Sequence, residues 1–265
     1  MISGLSTTLQ EKSLDALIKN GGFRFSQGFF IYTSGKIGNY YVNSEVVTKD
    51  ENAYADAINS LSVLVSLIIG DDLYDVISGG ESRDWIFSYP VAFHLRKQHA
   101  GLYKDWKIIG ADVKEKRVVH IADLNNEGSS PRDLLVPMIR SAGGEIGDIF
   151  FFVDRLEDGI EVMKTLDLNS HAVVSLNHYA RDYLLKNNAI NREIYMSLLE
   201  RMEDREEWAR RMLRSDMGVK QFILCLKDEK MRNRVKKILD VGYPELKEEI
   251  LDRLKQRDEN ILEIL

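Results

Sequence analysis

The sequence predicts an α/β fold, a mostly parallel sheet flanked by helices, followed by an α-helical C-terminal region. Three observations carry this. Short apolar runs alternate with amphipathic helical segments from about Glu51 to Leu176, and strands joined through helices form parallel sheets covered on both faces. After about Asn177 the composition turns to Glu, Lys, Arg, Leu and Met with no strand signal. Within the first stretch, RVVHIADLNNEGSSPRDLLVPMIR (117–140) reads as a buried strand, an acid, a small polar loop and a helix.

The elements follow in order. Leu9, Leu14, Leu17 and Ile18 share one face of a helix over Leu9–Lys19, which Asn20-Gly21-Gly22 ends. Phe23 to Val47 is aromatic and β-prone, broken by Thr33-Ser34-Gly35-Lys36 and by Gly38-Asn39, and reads as a bent pair of strands. A helix is expected over Glu51–Ile69, a strand over Asp75–Ser78 entering Gly79-Gly80, and a helix over Trp85–Leu95. The polar linker from Arg96 to Lys107 reads as a mobile lid over an anionic substrate, or as a solvated loop. Val118–Ala122 is the next strand, with Asp123 at its end. Pro131 suits a helix start, because its missing N–H would be unpaired there anyway. That helix covers Asp133–Ser141 and stops at Gly143-Gly144. Asp148–Val153 and His171–Leu176 are strands. The tail from Asn191 reads as amphipathic helices with opposite charges at neighbouring turns, broken at Gly242-Tyr243-Pro244. The expected division is a sheet domain over 1–180, including an N-terminal segment 1–48, and a helical subdomain over 181–265. That subdomain either caps the sheet or makes an oligomer contact.

The 265 residues are 44% apolar and carry a net charge of −6. This charge gives no electrostatic reason to expect a nucleic-acid partner. The one cysteine, Cys225, excludes an internal disulfide and a Cys-rich metal site. The longest apolar run, LSVLVSLIIG (61–70), is too short to span a bilayer. The N-terminus lacks a basic-then-apolar pattern. The expectation is a cytoplasmic protein with no membrane or nucleic-acid partner. His94, His120 and His171 stand in apolar contexts and read as packed, and no metal-ligand cluster appears.

In a sheet of this kind ligands bind at the carboxyl ends of the strands, where Gly79-Gly80, Asp123 and Asp154 fall. Two glycines before Glu81, Ser82 and Arg83 permit close backbone approach to a ligand, and Arg83 suits a pyrophosphate. The alternative is a plain turn with Arg83 paired to Glu81 or Asp84. Asp123 is followed by Asn125, Asn126, Gly128, Ser129 and Ser130. Backbone N–H groups at a helix start attract phosphate, and Asp123 can hold sugar hydroxyls or a magnesium shell. A sugar phosphate needs both kinds of group, whereas an ordinary βα loop needs only a serine cap. Arg155 suits a carboxylate or ring carbonyl, or a surface ion pair.

Taken in order, FIYTSGKIGNYYVN (30–43), Gly79–Asp84, Arg96-Lys97, Val118–Ser130 and Asp154-Arg155 resemble orotate phosphoribosyltransferase, of the type I phosphoribosyltransferase fold. The resemblance spans about Leu9 to Leu176. It implies transfer of ribose-5-phosphate from phosphoribosyl pyrophosphate to orotate, in pyrimidine nucleotide biosynthesis, by a homodimer using Mg²⁺ brought with the phosphoribosyl pyrophosphate. It implies Asp123 at the ribose hydroxyls and Asn126, Gly128, Ser129 and Ser130 around the 5′-phosphate. Gly80, Glu81, Ser82 and Arg83 would hold pyrophosphate, and Lys36, Tyr40, Tyr41 and Arg155 the base. Arg96 and Lys97, at the start of a flexible catalytic loop, would neutralise the departing pyrophosphate from a partner subunit. Ala122 stands where the resemblance implies a second acid, and Ala100 and Leu102 where it implies Lys and His. These departures keep two alternatives open: a non-catalytic phosphoribosyl-pyrophosphate or nucleotide-binding regulatory protein, and a transferase for another base.

Overall fold

The computed structural model describes residues 2–32, 34–258 and 261. Thr33, part of the expected turn, and the last residues of the tail lie outside them. The chain forms two compact units. One, the sheet unit, takes the residues up to Gly22 together with Asn43–Tyr183; the other, the helical unit, takes Phe23–Val42 together with the residues from Leu184 on.

In the sheet unit, α1 (Ile2–Lys19) and α2 (Glu51–Ile68) precede β3 (Val76–Gly80), α3 (Arg83–His94), β4 (Gln98–Leu102), β5 (Ile108–Gly110) and β6 (Arg117–Asn125). Then come α4 (Val136–Ser141), β7 (Glu145–Asp154), α5 (Gly159–Thr165), β8 (Asn169–Ser175) and α6 (His178–Lys186). The strand order is β5-β4-β3-β6-β7-β8, parallel throughout except for antiparallel β5 on β4. The continuous apolar run of β7 is explained by helices on both faces. Ile149 and Phe151 share a core with Val118, Leu135 and Ile139, while Phe152 stacks on Phe87 of α3 at 4.9 Å. Asp50 starts α2 by accepting the Asn52 and Ala53 N–H groups, an N-cap.

Several sequence expectations change here. Arg96 to Lys107 is not a loose linker: Gln98–Leu102 is a strand hydrogen-bonded to β3 in parallel, and β5 returns against it. Ala100 and Leu102 are therefore fully buried core residues. Strand β6 does not end at Ala122, because Leu124 and Asn125 still pair with Val153 and Asp154. Helices α5 and α6 add to those expected. His120 is buried as read, but His94 is exposed on the last turn of α3, and His171 is only partly buried and meets Asp148 at 3.0 Å.

In the helical unit, β1 (Phe23–Ile31) and β2 (Ile37–Val42) form an antiparallel pair. The helices are α7 (Arg192–Glu203), α8 (Arg205–Arg214), α9 (Asp216–Lys227), α10 (Glu229–Lys237) and α11 (Lys247–Arg257). Phe29, Ile31 and Ile37 of the strands share one core with Trp208, Leu213, Phe222, Leu226, Tyr243 and Leu254. The division at 180/181, with 1–48 counted in the sheet domain, thus differs from the packing. Phe23–Val42 turns its apolar side chains to the tail helices, a pairing between segments far apart in the chain. Each of α7, α8, α9 and α10 starts at a side-chain cap, from Asn191, Asp204, Ser215 and Asp228. No helix among the described residues is long and apolar enough to cross a membrane.

Candidate functional site

The chain leaves β3 for β4 on one side and later returns to β6 on the other, so the carboxyl ends of β3 and β6 flank a switch point, where such sheets bind ligands. A cavity of about 390 Å³ opens there. Its walls are Gly80–Asp84, Ala122–Leu124, the helix start at Ser130 and Pro131, and Lys104.

Close packing explains the two glycines. A Cβ on Gly79 would meet Ser88 Oγ at 2.0 Å, and one on Gly80 would meet Asp84 Oδ2 at 2.7 Å and Leu135 Cδ2 at 2.9 Å. The Glu81–Ser82 peptide is cis. Asp84 ties the loop to the neighbouring strand, since Gly80 N donates to its Oδ2 (3.1 Å) and Asp123 N to its Oδ1 (3.0 Å). Behind it, His120 Nε2 lies 3.6 Å from Asp84 Oδ2, and His120 Nδ1 contacts Ser78 Oγ at 2.9 Å.

Asp123 is buried within the wall and accepts a hydrogen bond from Ser44 Oγ at 2.9 Å. Burial, and then the charge of Asp84, push its carboxyl up to about 7. A carboxyl so held is a strong acceptor only once a donor or cation offsets its charge. Past it, Gly128 adopts φ 66° and lies so near Val162 that a Cβ would meet that side chain at 2.8 Å. Ser129 and Ser130 begin the helix, where amide N–H groups have no intrahelical acceptor. A π-helical turn over Pro131–Leu135 leads into α4.

Gly80, Glu81, Ser82, Arg83, Asp123 and Ser130 therefore meet at one cavity. Arg83 Nε lies 3.5 Å from Glu45 Oε2, both side chains about half exposed. Glu81 Oε2 accepts from Lys104 N at 3.0 Å. Asn126 and Gly128 flank the wall, and their carbonyls accept Gly159 N and Arg132 N. Arg155 is buried, with its Nη2 2.9 Å from Glu157 Oε1, and does not line the cavity. Arg96 and Lys97 precede β4 at the end of the sheet opposite Gly80, because Gln98 pairs with Val76 and Leu102 with Gly80. Arg96 takes a left-handed φ of 54° after α3, and Lys97 Nζ donates to Tyr74 O at 3.0 Å. Lys36, Tyr40 and Tyr41 belong to the helical unit. There Lys36 Nζ meets Glu206 at 3.0 Å, Tyr40 is buried and accepts through its carbonyl from Tyr32 Oη, and Tyr41 lies against Arg24.

Lys104, which the sequence offers only as one residue of the polar linker, is a cation of the cavity wall. Its signal was the turn Tyr103–Lys107, legible only once β4 and β5 are recognised as a hairpin. Among the described residues no group of three or more His, Cys, Asp or Glu could hold a metal ion.

The mostly parallel sheet, with a glycine turn after β3, an acid on β6 and a helix start beside it, has the type I phosphoribosyltransferase fold that its likeness to solved structures shows. The comparisons with known proteins sharpen this. No family model matches. The chain is 25% identical over 169 residues to orotate phosphoribosyltransferase of Sulfolobus acidocaldarius, covering 62% of this chain and 83% of that protein. It is 28% identical over 191 residues to the orotate phosphoribosyltransferase of a Nostoc species, covering 67% of this chain and 88% of that one. Among solved structures, UMP synthase of Leishmania donovani superposes with a TM-score of 0.65 at 21% identity, over 72% of this chain and 41% of that chain; this likeness concerns the fold. The chain is orotate phosphoribosyltransferase-like.

Proposed function

We propose that this protein transfers ribose-5-phosphate from phosphoribosyl pyrophosphate to orotate, in pyrimidine nucleotide biosynthesis in the cytoplasm. The observation that carries this reading is the meeting of the glycine turn, Asp123 and the helix start at Ser130 in one cavity. Ser129 and Ser130 amides hold the 5′-phosphate, as helix starts do. Asp123 accepts the ribose hydroxyls. The Ser82 end of the glycine turn, with Arg83 and Lys104, holds the pyrophosphate. A ring nitrogen of orotate bonds to the anomeric carbon as the bond from that carbon to pyrophosphate oxygen breaks. Fixed donors around the departing anion lower the barrier, each by about 3–4 kcal/mol in comparable sites.

Mg²⁺ enters with the diphosphate. Asp84 and Asp123 stand together in the cavity wall, and they would suit an ion that keeps most of its ligands on phosphate and water. Bound there, it offsets the diphosphate charge. A homodimer is supported by the apolar surface of the sheet unit: Phe93 is 87% exposed, and Trp106 and Tyr89 are also exposed. Sedimentation of Phe93→Asp, expected to run as a monomer, tests this.

The second reading, a non-catalytic binding protein, is favoured by Ala122, which lines the cavity without a carboxylate. Incubation with orotate, phosphoribosyl pyrophosphate and Mg²⁺, beside calorimetry with each ligand, separates the two. Orotidine phosphate formation abolished by Asp123→Ala supports the transferase. Tight binding without product supports the binding protein. Binding of neither ligand removes both.

A further inference from the structure

The helical unit contains a second cavity, which shares no lining residue with the strand-end cavity. It measures about 270 Å³ and is formed by β1, β2, α9 and α10. We propose that it is a second binding site, for a small organic anion with one planar ring carrying a phosphate or carboxylate.

Three observations point to this ligand. The first is charge. Arg24 and Arg234 both line the cavity, and no Asp or Glu is among its lining residues. Elsewhere in this unit arginines are matched to carboxylates: Arg210 to Glu245, Arg211 to Glu200, Arg214 to Glu249 and Arg257 to Asp216. Arg24 and Arg234 have no carboxylate partner among the described residues, so two arginines line the cavity with their charge unmatched.

The second observation is preorganisation. Arg24 and Tyr41 sit opposite each other across β1 and β2. The Arg24 guanidinium lies 5.2 Å from the Tyr41 ring centroid and 5.5 Å from that of Phe30. Stacking fixes the plane of a guanidinium and leaves its N–H edge as the donor for an oxyanion.

The third is the floor, which is apolar. Phe29 and Cys225 are buried there, and Met231 is partly buried. Beside them Gln221 supplies an amide, whose Nε2 donates to Cys225 Sγ at 3.5 Å. Pockets for drug-sized ligands run from about 300 Å³ upward, so this one suits a single ring. Two arginines together with apolar side chains in one lining favour an amphiphilic anion over bare phosphate or a neutral ring.

Cys225 makes the test specific, because it is the only cysteine in the chain and it lines the cavity. Burial pushes that thiol up, so it alkylates slowly. The full chain is treated with iodoacetamide, and Cys225 modification is followed by intact mass in the presence of phenyl phosphate, phenol or inorganic phosphate. Phenyl phosphate is expected to slow alkylation, with phenol and inorganic phosphate leaving the rate unchanged. Arg24→Ala and Arg234→Ala, at exposed side chains, each raise the half-protecting concentration by about tenfold, the worth of one hydrogen bond to a charged group. Asp123→Asn leaves protection intact. The proposal is overturned if phenyl phosphate does not protect, if phenol protects equally, or if both arginine variants behave as the parent. It is overturned too if Asp123→Asn abolishes protection, since the bound anion would then belong to the strand-end cavity. Failure of orotate turnover bears on none of these outcomes.

Discussion

Burial and the charge of Asp84 hold the Asp123 carboxyl up near 7, and the sign of the consequence follows from linkage. The folded protein keeps a proton there that the unfolded chain releases at its ordinary, lower value. The resulting stabilisation is complete below the unfolded value and is lost as pH rises through about 7. Melting temperature is therefore expected to fall as pH rises from about 5 to about 8, and Asp123→Asn, which keeps the side chain's size without its titration, to flatten that fall. On the proposed function, affinity for phosphoribosyl pyrophosphate with Mg²⁺ should rise over the same window, because Asp123 would meet the ribose hydroxyls as an ionised acceptor. Asp84 answers to a different measurement. Its replacement by alanine strands the Gly80 and Asp123 N–H groups, and each stranded donor costs about 1–3 kcal/mol, to be read from urea unfolding. Asp123 and Gly80 were legible in the sequence because acid, glycines, serines and proline lie within short local motifs. Lys104 was not, since its place at the cavity depends on two strands pairing. For the same reason Arg96 and Lys97, which look like a catalytic pair in linear order, stand at the other end of β4.

At the scale of elements, the well-read pieces were those with strong periodicity or continuous apolar character: α2, β7 and the tail helices. Strand β4, QHAGL, shows neither, and it is held by hydrogen bonds to β3 rather than by its own pattern. The strand end at Ala122 was misjudged because the following Leu124 and Asn125 owe their extended form to Val153 and Asp154, partners distant in sequence. The helix caps, in contrast, were present in the letters. Asn191, Asp204, Ser215 and Asp228 each precede a helix and accept a backbone N–H. Asp204→Ala is expected to lower stability by about 1 kcal/mol, with Asp204→Asn nearly neutral, by thermal melting. Gly79→Ala should cost about 1–3 kcal/mol through overpacking, since the added methyl must displace Ser88 Oγ.

For the whole molecule, the alternating α/β pattern and the helical tail identified the class of fold, but not which segments pack together. Nothing within Phe23–Val42 states that its apolar face belongs with helices beginning some 150 residues later. Phe222 sits at that junction, fully buried and edge-on to Phe29 at 5.8 Å. Phe222→Ala should destabilise the helical unit by about 3–5 kcal/mol. Hydrogen exchange is the suitable measurement: amides of β1 and β2 are expected to lose protection. Unchanged protection in those strands would mean that the shared core contributes little to holding them.

The same discontinuity sets a timetable for synthesis on the ribosome. Phe29, Ile31 and Ile37 emerge early, whereas Leu254, which completes their core, is made more than two hundred residues later. At about 5–20 residues per second, the hairpin waits on the order of 10–40 s with its aromatic face uncovered. During that interval the nascent chain is a natural client for a hydrophobic-binding chaperone. Slowing translation of the tail should lengthen the association, while a preformed tail supplied in trans should shorten it.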